Sequence, residues 1–196
     1  MAPGKRHPLL LYARLFAMLR PPAFFIALLS GVLWWFAPGV PLLSSDLAQT
    51  ALLAVAGLCA LLFLYTLVGP RLSYAQCFPS HLRVSTPLFR LAISYSRIRT
   101  VRPVQFAPHR LGWSQRRFVE PFLGMTAVAV DLKSYPLGER WLKLWLNPYL
   151  FASDSTGLLF HLKDWMAFSR DIETYRTEWK MRHQQKPPAS PAGALR

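Results

Sequence analysis

Acid is scarce in this chain. Its 196 residues carry nine Asp and Glu against 23 Lys and Arg, a formal charge of +14, and no acid at all lies between Asp46 and Glu120. Cysteine is nearly missing as well. Of the two present, Cys59 sits inside a long apolar run and has no access to a partner in an aqueous domain, so no disulfide framework is expected and a reducing compartment is. Neither CxxC nor HExxH occurs, and His7, His81, His109, His161 and His183 are scattered, so no metal site is expected. There is no GxSxG elbow and no glycine-rich phosphate loop. These absences leave no catalytic residue to nominate and no cofactor to bind, and a non-enzymatic protein is expected.

The other absence is of charge along two adjoining stretches, residues 21–45 and 47–70, divided only by Asp46. A helix rises about 1.5 Å per residue, so a hydrocarbon core of about 30 Å takes roughly 20 residues to cross, and both stretches are long enough. A two-helix membrane anchor follows. Lys5, Arg6, Arg14 and Arg20 precede the first run, Arg71 follows the second, and the connecting loop has no positive charge, so both termini are expected in the cytoplasm. No small-x-small cleavage site follows Trp34, Trp35 and Phe36, so a cleaved signal peptide is not expected.

Pro22 fits a first helical turn, Ser44, Ser45 or Asp46 a cap for the second helix, and Gly69-Pro70 its stop. Ala23, Ala27 and Gly31 on the first span, and Ala56 and Ala60 on the second, recur every four residues and are candidate helix-packing positions. Neither run holds an ionisable Asp, Glu, Lys, Arg or His, which argues against a transporter or channel. Before the first span, residues 9–19 read either as a short interfacial amphipathic helix or as the lower end of a tilted helix with snorkelling arginines.

From Leu72 onward the pattern changes to short alternating segments. Leu82 and Val84 alternate with Arg83 and Ser85, and Leu91 and Ile93 with Ala92 and Ser94, with Thr86-Pro87 between them at a turn. Further strands are expected at residues 73–77, 97–106, 125–132, 141–146 and 157–162. The period then becomes helical. Trp165, Phe168, Ile172, Tyr175 and Trp179 are spaced 3, 4, 3 and 4, with Asp164 at the start and Arg176, Lys180 and Arg182 in the last turns, where they complement the helix dipole. Asp164, Asp171, Glu173 and Glu178 fall mainly off that stripe and read as a solvated face. The tail from residue 184, rich in Pro, Ala and Ser, reads as disordered.

The expected organisation is a basic N-terminal segment (1–20), a transmembrane hairpin (21–70), a basic domain (71–183) and a tail (184–196). Strands followed by one amphipathic helix make the class α+β. The run Tyr74-Ala75-Gln76-Cys77, then His81-Leu82-Arg83-Val84, then Ile93-Ser94-Tyr95-Ser96-Arg97-Ile98-Arg99-Thr100-Val101, behind two membrane spans, resembles the bacterial PH-domain membrane proteins. That resemblance covers residues 72–179 in outline and 74–101 in motif. It implies a PH-like antiparallel β-barrel or sandwich with a C-terminal helix, on the cytoplasmic side of a bacterial inner membrane, and it brings no catalytic residues. Residues 105–123 depart from the pattern, being longer and more basic than the usual connection.

The domain's surplus charge is the remaining signal. On a strand, Arg97 and Arg99 share a face, and with Arg102, Arg110, Arg116 and Arg117 they form a candidate lipid- or phosphate-binding patch, flanked by His109 and Trp113. The same charges also satisfy the positive-inside rule without any specific site. Anionic membrane lipid is the expected partner, because a tethered domain meets lipid phosphate before any nucleic acid. The alternative is an assembly subunit that docks a protein through an exposed sheet edge.

Overall fold

The computed structural model describes residues 3–39, 45–107, 113–152 and 155–184. The chain divides into two compact units: Pro8–Ser73, and a second made of the residues on both sides of it, up to His7 and from Tyr74 on.

The first unit is a pair of 27-residue helices, α1 (Leu10–Phe36) and α2 (Asp46–Leu72). Each is about 40 Å long at 1.5 Å per residue, more than a hydrocarbon core requires. Only 17% of the most apolar stretch of α1 and 6% of that of α2 is buried, and both helices are long and apolar enough to cross a membrane. Ser45 caps α2 by accepting the Ala48 amide at 3.3 Å, as expected.

Neither Pro22 nor Gly69-Pro70 marks a helix end, and of the two readings of residues 9–19 the continuous helix holds. Helix α1 starts at Leu10 and runs straight through Pro21 and Pro22, so the segment before the first span is the lower part of one continuous helix. Gly69-Pro70 does not stop α2, which continues to Leu72. The reason is local. Proline at 70 has no N–H, so the Thr66 carbonyl loses its helical donor, and the Arg20 guanidinium donates to that oxygen instead at 3.3 Å. Gly69 is occupied differently: a Cβ there would lie 2.5 Å from the Phe16 ring, which itself meets Tyr65 edge-on at 5.5 Å. The Phe16 ring therefore fills the space that a side chain at position 69 would need. Of the expected packing positions, Ala23 is buried and Ala27, Gly31 and Ala56 are half-buried, but a Cβ on Gly31 would touch nothing and Ala60 is exposed. On α2 the less exposed seam follows Ala56, Cys59, Phe63 and Thr66.

The second unit holds two antiparallel sheets and is α+β. One sheet has the order β1 (Arg6–Pro8), β2 (Tyr74–Cys77), β3 (His81–Ser85), β4 (Arg90–Ser94); the other is β5 (Ile98–Gln105), β6 (Thr126–Leu132), β7 (Gly157–Phe160). They are separate sheets rather than the closed barrel that one form of the expectation described. Period-two alternation sets the first sheet's register: Leu82 pairs with Ile93 and Val84 with Leu91, and all four are buried with Ala75 and Cys77. Strand β6, central in its sheet, is buried along nearly its whole length, as a strand covered on both faces must be.

Helix α5 (Trp165–Gln184) covers this core with Phe168 and Ile172, and Phe168 meets Phe160 edge-on at 5.4 Å. Asp164 caps it by accepting the Ala167 amide at 3.0 Å. Strand β1 was not foreseen. It adds an edge to the sheet and buries His7, whose Nε2 lies 2.9 Å from the Asp171 carboxylate on α5 and whose ring packs on Phe168 at 5.1 Å.

The strand expected at residues 141–146 is instead helix α4 (Glu139–Trp145). Leu142 and Leu146, one helical turn apart, are the buried pair, and Glu139 and Lys143 form an i,i+4 ion pair at 2.6 Å. A short helix α3 (Trp113–Val119) lies within the long basic connection.

Candidate functional site

The arginine cluster has to be built from the β5–β6 pair. Asp131, on β6 opposite Thr100, is nearly buried and accepts hydrogen bonds from Thr100 Oγ1 at 2.9 Å, from Arg102 Nε at 2.9 Å and from Ser155 Oγ. Burial raises the carboxyl, but the hydrogen bonds from Ser155, Arg102 and Thr100, together with the Arg102 charge, outweigh it and hold Asp131 below its ordinary value. Arg102 is thus neutralised within the domain. Gly157 makes this junction possible, since a Cβ there would lie 2.6 Å from the Val130 carbonyl.

Arg97 and Arg99 do not share a strand face. Arg97 closes a one-turn helix (Tyr95–Arg97) ahead of β5, is half-buried, and donates to the Tyr135 carbonyl at 2.9 Å. Arg99 falls where the β5–β6 register shifts between Ile98 and Thr100, and its side chain is exposed. Arg116 and Arg117 are exposed on α3. Arg110 and His109 lie outside the described residues. Of the six candidates, then, two are used in holding the domain together and three are open to a ligand.

Two arginines assigned to the helix dipole do something more specific. Arg176 donates to the Ile98 and Arg99 carbonyls at 3.0 and 2.8 Å, capping the irregular start of β5, and Arg182 donates to the Pro79 carbonyl at 2.7 Å. Their partners are 77 and 103 residues away, so no local sequence signal announces them.

Burial pushes the Cys77 thiol up to about 12, and Tyr95, raised mainly by burial, donates its hydroxyl to the Phe78 carbonyl at 2.8 Å. Among the described residues, no three His, Cys, Asp or Glu side chains come together. A shallow cleft of about 680 Å³ is bordered by Tyr135, Glu139, Lys143, Phe151 and Ser155. Its charged lining is already paired, Glu139 with Lys143, and Ser155 is bound to Asp131. The arrangement offers exposed guanidinium groups at Arg99, Arg116 and Arg117.

No protein-family model matches the chain, and neither a curated protein nor a solved structure matches it.

Proposed function

We propose that this chain is a two-span protein of a bacterial inner membrane, with both termini cytoplasmic, whose basic domain is a PH-like module that associates with anionic inner-leaflet lipid and acts by binding rather than catalysis. The observation that carries the reading is the pair of 27-residue helices whose large apolar side chains, among them Phe25, Leu29, Leu58 and Leu61, are more than half exposed. Such surface is stable only in a non-aqueous surrounding. Strands in groups of four and three followed by one long helix support the PH-like assignment. Arg99, Arg116 and Arg117 supply exposed charge for headgroup phosphate, at about 1 kcal/mol per residue close to the surface.

Hydrogen exchange of the full chain in nanodiscs tests the lipid association. The peptide covering α3 should exchange more slowly in phosphatidylglycerol than in phosphatidylcholine discs, and high salt should abolish the difference. Equal exchange in both lipids refutes the association.

A further inference from the structure

Helix α4 is apolar on two sides, and only one of them is used. Leu142 and Leu146 are buried in the domain, whereas Trp141, Leu144 and Trp145, at positions i, i+3 and i+4, are 54%, 71% and 39% exposed. The exposed side continues onto a second element. Trp145 stacks on Phe89 at 6.1 Å and 16°, which brings the β3–β4 turn alongside, and Leu88 in that turn is 71% exposed. The turn is held rigidly, because Thr86 Oγ1 accepts the Phe89 amide at 3.1 Å and the Thr86 amide donates to the Phe89 carbonyl at 2.8 Å.

The result is a patch of two tryptophans and two leucines on two elements joined through the Trp145–Phe89 stack. A patch of this kind marks an interaction surface. Its margin is positive: Arg90 and Arg140 are exposed, and the adjoining acid Glu139 is paired with Lys143. Tryptophan with arginine at the edge is the composition favoured at a membrane–water boundary, where an amphipathic ring sits at headgroup level and the cation meets phosphate.

We propose that the exposed side of α4, together with the β3–β4 turn, is a membrane wedge that inserts Trp141, Leu144 and Leu88 into the headgroup–acyl boundary of an anionic leaflet. This rests on the membrane reading above and deepens it, because insertion of apolar side chains would orient the domain where charge alone would only attract it.

The test uses the full chain with Cys59→Ala, in which the remaining thiol, Cys77, is buried. A nitroxide is attached in turn through Leu144→Cys, Leu88→Cys, Leu29→Cys on the exposed side of α1 and Glu173→Cys on the exposed side of α5, in phosphatidylglycerol nanodiscs holding one chain each. Collision with oxygen is compared with collision with a water-soluble nickel chelate. The expected result is a severalfold higher oxygen-to-nickel ratio at Leu144, Leu88 and Leu29 than at Glu173. A lipid-like ratio at Leu29 with aqueous ratios at Leu144 and Leu88 overturns the wedge and leaves the hairpin standing. Aqueous ratios at all four sites overturn both. Discs loaded with two chains provide a further arm. Exclusion of both probes there, with spin–spin broadening at Leu144, would assign the patch to a second copy and overturn the lipid wedge.

Discussion

His161 should make this protein lose stability on mild acidification, in a window that opens above the carboxylate range. The residue follows β7, is 2% exposed, and stands edge-on to Phe106 at 4.4 Å and tilted against Phe122 at 5.3 Å; neither ring nitrogen has a hydrogen-bond partner. Burial pushes the imidazole down to about 4 from an ordinary value of 6.5. As pH falls through about 6.5 the unfolded chain takes up a proton that the folded ring refuses, so stability declines until the folded ring titrates near 4. At about pH 4.5 the accumulated loss is roughly 2 to 3 kcal/mol, or on the order of 10 °C in the unfolding midpoint. His161→Phe removes the titrating group and two unpaired buried nitrogens while keeping a planar ring between Phe106 and Phe122, so it should be neutral or stabilising near neutral pH. The assay is thermal unfolding of the full chain in neutral detergent, followed by near-UV circular dichroism at a series of pH values. His81, lowered by its own burial and by Arg83, contributes in the same window to both proteins, so the readout is the difference between the two curves. Parallel curves for wild type and His161→Phe would refute the reasoning, as would a collapse of the variant at neutral pH.

Other expectations follow from the packing. Gly69→Ala should weaken the hairpin by roughly 1 to 3 kcal/mol through overpacking against Phe16, measured by detergent-titrated unfolding, and Phe16→Leu should restore part of the loss. Arg20→Met should cost about 1 kcal/mol through the uncapped Thr66 carbonyl, and less in a Pro70→Ala background, where the backbone supplies the missing donor; equal costs in both backgrounds would sever the link between Arg20 and Pro70. Asp131→Asn should cost roughly 2 kcal/mol near neutral pH, a value discounted because Arg102 is half exposed. Since the Asp131 pKa is lowered, its contribution is present above the ordinary carboxyl range and disappears as pH falls through the folded value, so the variant should show a shallower acid loss below about pH 4.

What the sequence made legible was local. Period-two alternation at Leu82, Val84, Leu91 and Ile93 carried the first sheet, the 3-4-3-4 stripe carried α5, and uninterrupted apolarity carried the two long helices. Where two periods fit the same residues, the reading went wrong. Leu142, Leu144 and Leu146 alternate like a strand, yet Leu142 and Leu146 also stand one helical turn apart, and the Glu139–Lys143 pair with their burial decided for helix. The arginine cluster was legible as charge but not as geometry. That Arg102 is neutralised by Asp131 and Arg97 held by the Tyr135 carbonyl depends on partners 29 and 38 residues away. At Pro70 proline misled for a physical reason. Its missing donor is costly only if the freed carbonyl stays unsatisfied, and Arg20, on the other helix, satisfies it at Thr66.

Strand β1 also settles how such a protein must be handled and in what order it closes. The domain's sheet is interrupted in sequence by the whole hairpin: β1 precedes α1, and its neighbour β2 follows α2. A fragment starting at residue 72 therefore loses more than a basic tail. It uncovers the edge of β2, where Gln76 donates to the Gly4 carbonyl at 2.7 Å and Gly4 donates to the Cys77 carbonyl at 2.8 Å, and it leaves Asp171 without His7. An open edge with unpaired amides invites association of its own, so lipid or partner binding by such a fragment would report the truncation rather than the protein. The same connectivity constrains folding. The His7–Asp171 contact joins residues 164 apart, and β1 has no strand to pair with until β2 has been synthesised. Both helices must therefore leave the ribosome before the N-terminal strand can dock, so closure of the domain follows synthesis of the hairpin.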